Sequence, residues 1–222
     1  MGWSYRRSWS GKKPGGKPPA PPSATVGAKE QVNLTDEDSR IMPVPGGGFE
    51  QCFNAQALVA TGSLLIVANA VTQASGDVQQ LVPMLTKLAA LPLELGRPEI
   101  MLADCGYASA ANVAACEAQQ IEPLIALKRE AHHAPWTQRF AAAVPTPAQL
   151  TPVQAMAHRL ASPRGRTLYA LRKQTPEPVF GIIKSVMGFR QFLLRGLPQV
   201  RGEWNLVTLS FNIKRMFALQ GA

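Results

Sequence analysis

The sequence predicts an α/β fold, and three observations lead there. Two short apolar runs, at 99–104 and 121–127, each follow a stretch with helical periodicity. An alternating stretch from Phe49 and an apolar run over 64–71 precede them. Strand, helix, strand, helix, strand is the order of an α/β unit, because parallel strands need a crossover that a helix supplies. Third, 222 residues at 46% hydrophobic and 17% charged give one ordinary domain with a real core plus extensions, not a disordered chain.

The elements follow in chain order. Residues 1–28 are rich in Gly, Pro, Ser and Lys, carry no apolar periodicity and are expected to form a flexible basic linker. Gly46-Gly47-Gly48 punctuates the chain, with no following Gly-Lys-Ser/Thr that would make it a phosphate loop. From Phe49, apolar Phe53, Ala55, Ala57 and Val59 alternate with Glu50, Asn54 and Gln56, the period of a half-buried strand. Thr61-Gly62 turns the chain into a second strand over 64–71, making a β-hairpin. Asp77 is placed to cap a helix whose apolar face is Val78, Leu81, Val82, Leu85 and Leu88. The strand 99–104 ends in Asp104 and runs at once into Cys105-Gly106. Ser109 caps a second helix reaching about Gln119, and 121–127 is another buried strand. Residues 128–162 are irregular and dotted with Pro. The basic remainder, 163–222, is helical, with breaks near Pro176/Pro178 and Pro198 and a last helix that is amphipathic or largely buried.

Charge is unevenly spread. The chain is +9 overall, with +5 in residues 1–28, −5 in 29–158 and +9 from Arg159 to Ala222. Both ends therefore face a polyanion, and nucleic acid is the commonest one. Cys52, Cys105 and Cys116 are too few and too scattered for a disulfide framework or a zinc site. They are expected to be reduced, in a cytoplasmic protein associated with DNA. The N-terminus lacks a secretory h-region, and the longest apolar run, 57–71, is broken by polar residues and shorter than the roughly 20 residues of a membrane span.

Two acids are singled out. Asp104 ends a strand where open α/β sheets place their sites, and Gly106 lets the backbone turn away from it. A helix cap explains the same residue equally well. Glu177 is the lone acid in the segment 169–184, one of two in the basic C-terminal stretch, and Pro178 after it suits a helix's first turn. A carboxylate inside such a positive field can hold a divalent metal against a phosphate. Glu177 and Lys184, seven residues apart, fall on one face of a regular helix; by spacing alone, a capping Glu and a solvated Lys are the favoured reading. Arg172 and Lys173 lie on the approach, or simply form a phosphate-binding face. His132-His133 and His158 have no acid or Cys at ligand spacing and are read as loop residues.

Four segments together resemble the bacterial insertion-sequence transposases of the DDE type. They are Asn33-Leu-Thr-Asp-Glu-Asp-Ser-Arg-Ile-Met42, Gly48-Phe-Glu-Gln-Cys-Phe-Asn-Ala-Gln56, Leu102-Ala-Asp-Cys-Gly-Tyr-Ala-Ser109, and Tyr169 through Asn212 with its Glu-Pro-Val-Phe-Gly-Ile-Ile-Lys. The resemblance covers roughly residues 29–219. It implies a ribonuclease-H-like mixed sheet flanked by helices, with Asp104 as the second catalytic acid and Glu177 as the third, both holding Mg²⁺. Tyr169, Arg172, Lys173, Lys184 and Arg190 are the DNA contacts it implies. Four residues separate Arg172 from Glu177 where the commonest signature has three, so either Arg172 or Lys173 fills the Arg position. Phe53 stands where Tyr is usual, and Pro176 where a β-branched residue is usual.

The resemblance also implies a first catalytic Asp on a strand upstream of residue 31. Residues 1–30 contain no Asp, so the expectation is an N-terminally truncated domain with that strand missing. The implied partners are DNA, as transposon ends and target, and either a homo-oligomer or full-length transposase. The expected activity is metal-dependent strand cleavage and transfer, silent in this chain. The alternative is a DNA-binding or inhibitory fragment that cuts nothing.

Overall fold

The computed structural model describes residues 33–44, 46–127 and 150–221, as a mixed α/β arrangement of short sheets and helices. The expected linker over 1–28 and the paired histidines at 132–133 lie outside the described residues.

Three two-stranded sheets form. β1 (Arg40–Pro43) pairs antiparallel with β2 (Phe49–Cys52), β3 (Asn54–Val59) antiparallel with β4 (Ile66–Thr72), and β5 (Ile100–Ala103) parallel with β6 (Glu122–Ile125). The expected hairpin is β3–β4, with Asn54 opposite Thr72 and a shift of register between Leu58 and Val59. The alternating stretch from Phe49 is two strands rather than one, because the chain leaves the first sheet at Phe53 and joins the second at Asn54. Of the parallel pairings expected from element order, β5 with β6 is present. β4 is not hydrogen bonded to β5.

Helices pack on these strands. α1 (Leu81–Ala89) buries Leu81, Met84, Leu85 and Leu88, at the spacing of one helical face. Asp77 does not cap it. The cap position is Gln80, without a side-chain bond, and Asp77 contributes only its carbonyl, which accepts the Gln80 N–H. α2 (Ala110–Ala118) is capped as expected, Ser109 Oγ accepting the Asn112 N–H at 3.1 Å. α3 (Pro152–Ala161) occupies the end of the stretch expected to be irregular. Its start is written locally, for Thr151 and Gln154 form a reciprocal capping box before a first-turn Pro. α4 (Pro163–Ala170) follows through a corner that only Gly fits, since a Cβ on Gly165 would lie 1.9 Å from the Arg159 carbonyl.

The chain then runs through a 3₁₀ turn (Leu171–Gln174), α5 (Pro176–Gly181) and a π turn (Ile182–Val186) before the long α6 (Leu197–Gln220). The break expected near Pro198 is the non-helical stretch 188–196; Pro198 itself lies in the first turn of α6, where a residue needs no intrahelical donor.

Two apolar clusters result. One gathers α1, α2, β5, β6 and α3 around Leu85, Val113, Cys116, Ile125 and Met156; the other gathers Ile66, Val71, Val179, Ile183, Val200, Trp204 and Phe211. α6 also covers the open edge of β4. The Asn212 amide accepts from Ile66 N–H and donates to Ile66 C=O, both at 2.8 Å, while Arg201 Nε donates to Val71 C=O at 3.2 Å. An edge strand's unpaired groups are thus met by side chains. Of the two expectations for this helix, amphipathic or largely buried, the first is what forms: the Val200–Trp204–Thr208–Phe211 stripe is buried, while Leu206, Leu209, Ile213, Met216 and Phe217 are exposed.

Candidate active site

Asp104 lies at the carboxyl end of β5 and opens the 3₁₀ turn Cys105–Tyr107, its Oδ1 accepting the Gly106 N–H at 2.9 Å. Asp104 caps this turn, and not α2, whose cap is Ser109. The residue is half-buried, and Oδ2 makes no hydrogen bond among the described residues.

A second carboxylate stands beside it. Asp77 Oδ1 accepts from Asn54 Nδ2 and Gln56 Nε2, each at 2.8 Å, and Oδ2 makes no hydrogen bond among the described residues. Asn54 and Gln56 can do this because the period-2 pleat of β3 puts both on one face. A Cβ on Gly106 would lie 3.0 Å from Asp104 Oδ1 and 3.2 Å from Asp77 Oδ2. Asp77 Oδ2, which is free, and Asp104 Oδ1, which already accepts the Gly106 N–H, therefore border one cradle, open because residue 106 has no side chain.

The surroundings hold this geometry. Gln56, only 4% exposed, donates also to Asn54 Oδ1 at 2.8 Å and accepts from the Tyr107 hydroxyl. Asn112, likewise buried, donates to the carbonyls of Tyr107 at 2.6 Å and Val78 at 2.7 Å. Burial, and then the charges of Asp77 and Asp104, hold the Tyr107 phenol well above its ordinary range, though its bond to Gln56 pulls the other way. Tyr107 is therefore a fixed donor at neutral pH.

Asp104, Gln56 and Tyr107 line a cavity of about 200 Å³, to which the C-terminal segment contributes Arg172, Pro176 and Phe180. Of the two cations left open for one role, Arg172 is the one that lines this cavity. Its Cζ lies 5.6 Å from the Tyr169 ring centroid, and its buried Nε has no hydrogen bond among the described residues. Lys173 is exposed. Glu177 is in the first turn of α5, next to Pro176, and is also exposed. Lys184 and Arg190 border a broader groove of about 950 Å³, which Asp77 also lines. The single α-helical face expected for Glu177 and Lys184 is not kept, because the helix passes into the wider π turn at Ile182, with Met187 N–H bonding back to the Ile182 carbonyl.

Sequence reading missed Asp77, Gln56 and Tyr107 as members of the site. Asn54 and Gln56 left a trace, as two amides on one face of a strand otherwise built of Ala, Leu and Val.

The arrangement suits a hard divalent cation: carboxylate oxygens are its preferred ligands, and Gly106 leaves the space between them. No ion pair compensates Asp77 or Asp104 among the described residues, where the salt bridges run from Arg159 and Arg164 to Glu117 and Glu122. No group of three or more His, Cys, Asp or Glu that could hold a metal ion gathers among the described residues.

The family model described as Transposase DDE domain matches residues 33–213. The chain belongs to the DDE transposase domain family, whose members work on DNA with a divalent metal. No curated protein and no solved structure matches the chain. No helix among the described residues is long and apolar enough to cross a membrane.

Proposed function

We propose that this domain serves Mg²⁺-dependent DNA strand cleavage and transfer, on a ribonuclease-H-like catalytic fold, in the bacterial cytoplasm where the nucleoid lies. The observation that carries this reading is the cavity shared by Asp104, Arg172 and Pro176. It joins the turn after β5 to the segment around Glu177, two stretches far apart in the chain.

On this reading Asp104 and Glu177 would hold Mg²⁺, of which one ion would activate the attacking oxygen and a second would stabilise the leaving one at phosphorus. The other residues bind and orient the strand. Arg172, placed against Tyr169, lines the cavity with a guanidinium, whose planar group makes charge-assisted bonds to phosphate well. Lys173, Lys184 and Arg190 are exposed cations that hold the backbone without reading bases. The chain alone is expected to be catalytically silent, since Asp104 and Glu177 supply two carboxylates and fixing both ions of an in-line displacement takes more.

The second reading is a non-catalytic DNA-binding or inhibitory role, on transposon ends or joined to full-length transposase or to its own copies. The exposure of Lys173, Lys184, Arg190 and Arg195 favours it. Two measurements test the readings: DNA affinity across a salt series, and a Mg²⁺- or Mn²⁺-dependent nicking assay on transposon-end DNA. Affinity should fall steeply with salt, and no nicking should appear. Nicking that disappears in Asp104→Ala overturns the silence and upholds the site. Binding indifferent to salt overturns the nucleic-acid reading.

A further inference from the structure

We infer that Asp77 is a further metal-holding residue of this site, gripping the divalent cation beside Asp104 directly or through one of its waters. The inference rests on the reading that Asp104 holds a cation. No motif assigns Asp77 this part, and its position before α1 fits a helix cap on sequence grounds. The structure gives it other work.

Three observations converge. Asp77 is held by one oxygen only: Asn54 and Gln56 both donate to Oδ1, which fixes the carboxylate plane and leaves Oδ2 free. A carboxylate oriented this way by amide donors is the arrangement that supports a metal ligand, the donors setting its direction and the ion taking the remaining oxygen. Second, Oδ2 and Asp104 Oδ1 border the same Gly106 cradle at 3.2 and 3.0 Å from where a Cβ would sit. That places the two oxygens no more than about 6 Å apart, a span one hydrated divalent ion can bridge. Third, two like charges this close repel, and no Lys or Arg ion-pairs with either among the described residues.

The amides are themselves tied down. Gln56 accepts from the Tyr107 hydroxyl, and Asn54 Nδ2 donates also to the Ala74 carbonyl at 3.2 Å. Each donor to Asp77 therefore has a single orientation, and the free oxygen faces the cradle rather than solvent at large. Asp77 strengthens the hold on the ion at Asp104; it does not supply a second ion's ligands.

The test is Mn²⁺ binding to the full chain, followed by the electron paramagnetic resonance signal of free Mn²⁺, with Mg²⁺ competition and far-UV circular dichroism on every variant. Asp77→Asn should weaken Mn²⁺ binding about 10- to 100-fold while the fold is kept. Gly106→Ala, which leaves Asp77 and its amide donors intact but fills the cradle, should weaken it as well and decides the matter if Asp77→Asn fails to fold. Asp104→Asn should lower affinity at least as far. Wild-type affinity in Gly106→Ala, or in a folded Asp77→Asn, with affinity lost in Asp104→Asn, overturns the part given to Asp77 and leaves Asp104 standing. No Mn²⁺ binding by the wild-type chain, or full affinity in Asp104→Asn, overturns the metal reading of Asp104 and this inference with it.

Discussion

The half of the domain built on β5 and β6 and the half built on β3 and β4 are stabilised by different means. Around β5 and β6 the core is aliphatic, and most of its members come from one stretch of chain between Leu81 and Ile125. Around β3 and β4 it mixes aliphatic residues with an aromatic group centred on Trp204 and is assembled at long range. Trp204 stacks on Phe180 at 5.9 Å, meets Phe192 edge-on at 6.3 Å, and donates from Nε1 to the Gln56 carbonyl at 3.1 Å. The first half closes by local α/β packing. The second waits for a helix more than a hundred residues downstream to cover β4, so it carries the greater loop-closure cost. The candidate site sits where residues of both halves meet, with Asp104 at the end of β5 and Gln56 on β3.

This contrast can be broken by mutation. Trp204→Ala should have the largest effect, a loss of about 3–5 kcal/mol, because it removes a 2%-exposed ring and leaves the Gln56 carbonyl without its donor. Leu85→Ala in the other half should cost about 2–5 kcal/mol, cavity relaxation setting the value. Urea denaturation of both variants checks the pair. The contrast fails if Leu85→Ala proves the more costly.

A smaller effect sharpens it. Asn212→Ala strips two hydrogen bonds from Ile66 and should cost about 1–3 kcal/mol, since backbone groups of β4 lose their partner. Ser109→Ala, a purely local cap of α2, should cost about 1 kcal/mol. Equal losses would mean that α6 contributes no more to the edge of β4 than an ordinary cap does to its helix.

The smallest effect is silent at neutral pH. Burial, and then the charge of Glu117, push the Cys116 thiol from 9.0 up to about 11. Above pH 9 the unfolded thiol ionises while the folded one keeps its proton, so the unfolded state binds fewer protons and stability falls as pH rises. The loss should develop between about pH 9 and 11, following the values for this thiol. It should be absent in Cys116→Ala, as measured by urea midpoints at pH 7, 9 and 10.5. A wild-type midpoint that stays level across that range would remove Cys116 from the account.

Much of the first half was legible in the sequence. Leu81, Leu85 and Leu88 mark their helix by spacing, Ser109 marks the start of α2, and the apolar runs around β5 and β6 stand between turn residues. Asp104 was legible too, as an acid closing a strand before a glycine. These signals are local: each depends on residues within a turn or two of one another, where periodicity and capping chemistry act.

What the sequence by itself determined, then, is the mixed α/β class, the elements from the β3–β4 hairpin through β6, and two of the acids proposed for its chemistry. Tertiary structure decided the rest. Asp77 has the position of a helix cap, and only the pairing of β3 with β4 brings Asn54 and Gln56 to its Oδ1 and turns Oδ2 toward Gly106. Arg172 and Lys173 are equivalent as neighbours in a sequence, and only the 3₁₀ turn aims one at the cavity and the other at water. The apolar residues of α6 do not declare which will be buried, because helical spacing fits two faces and the contact with β4 selects one. Side-chain direction across a gap of fifty or a hundred residues has no local signal, since it depends on which surfaces exclude water together.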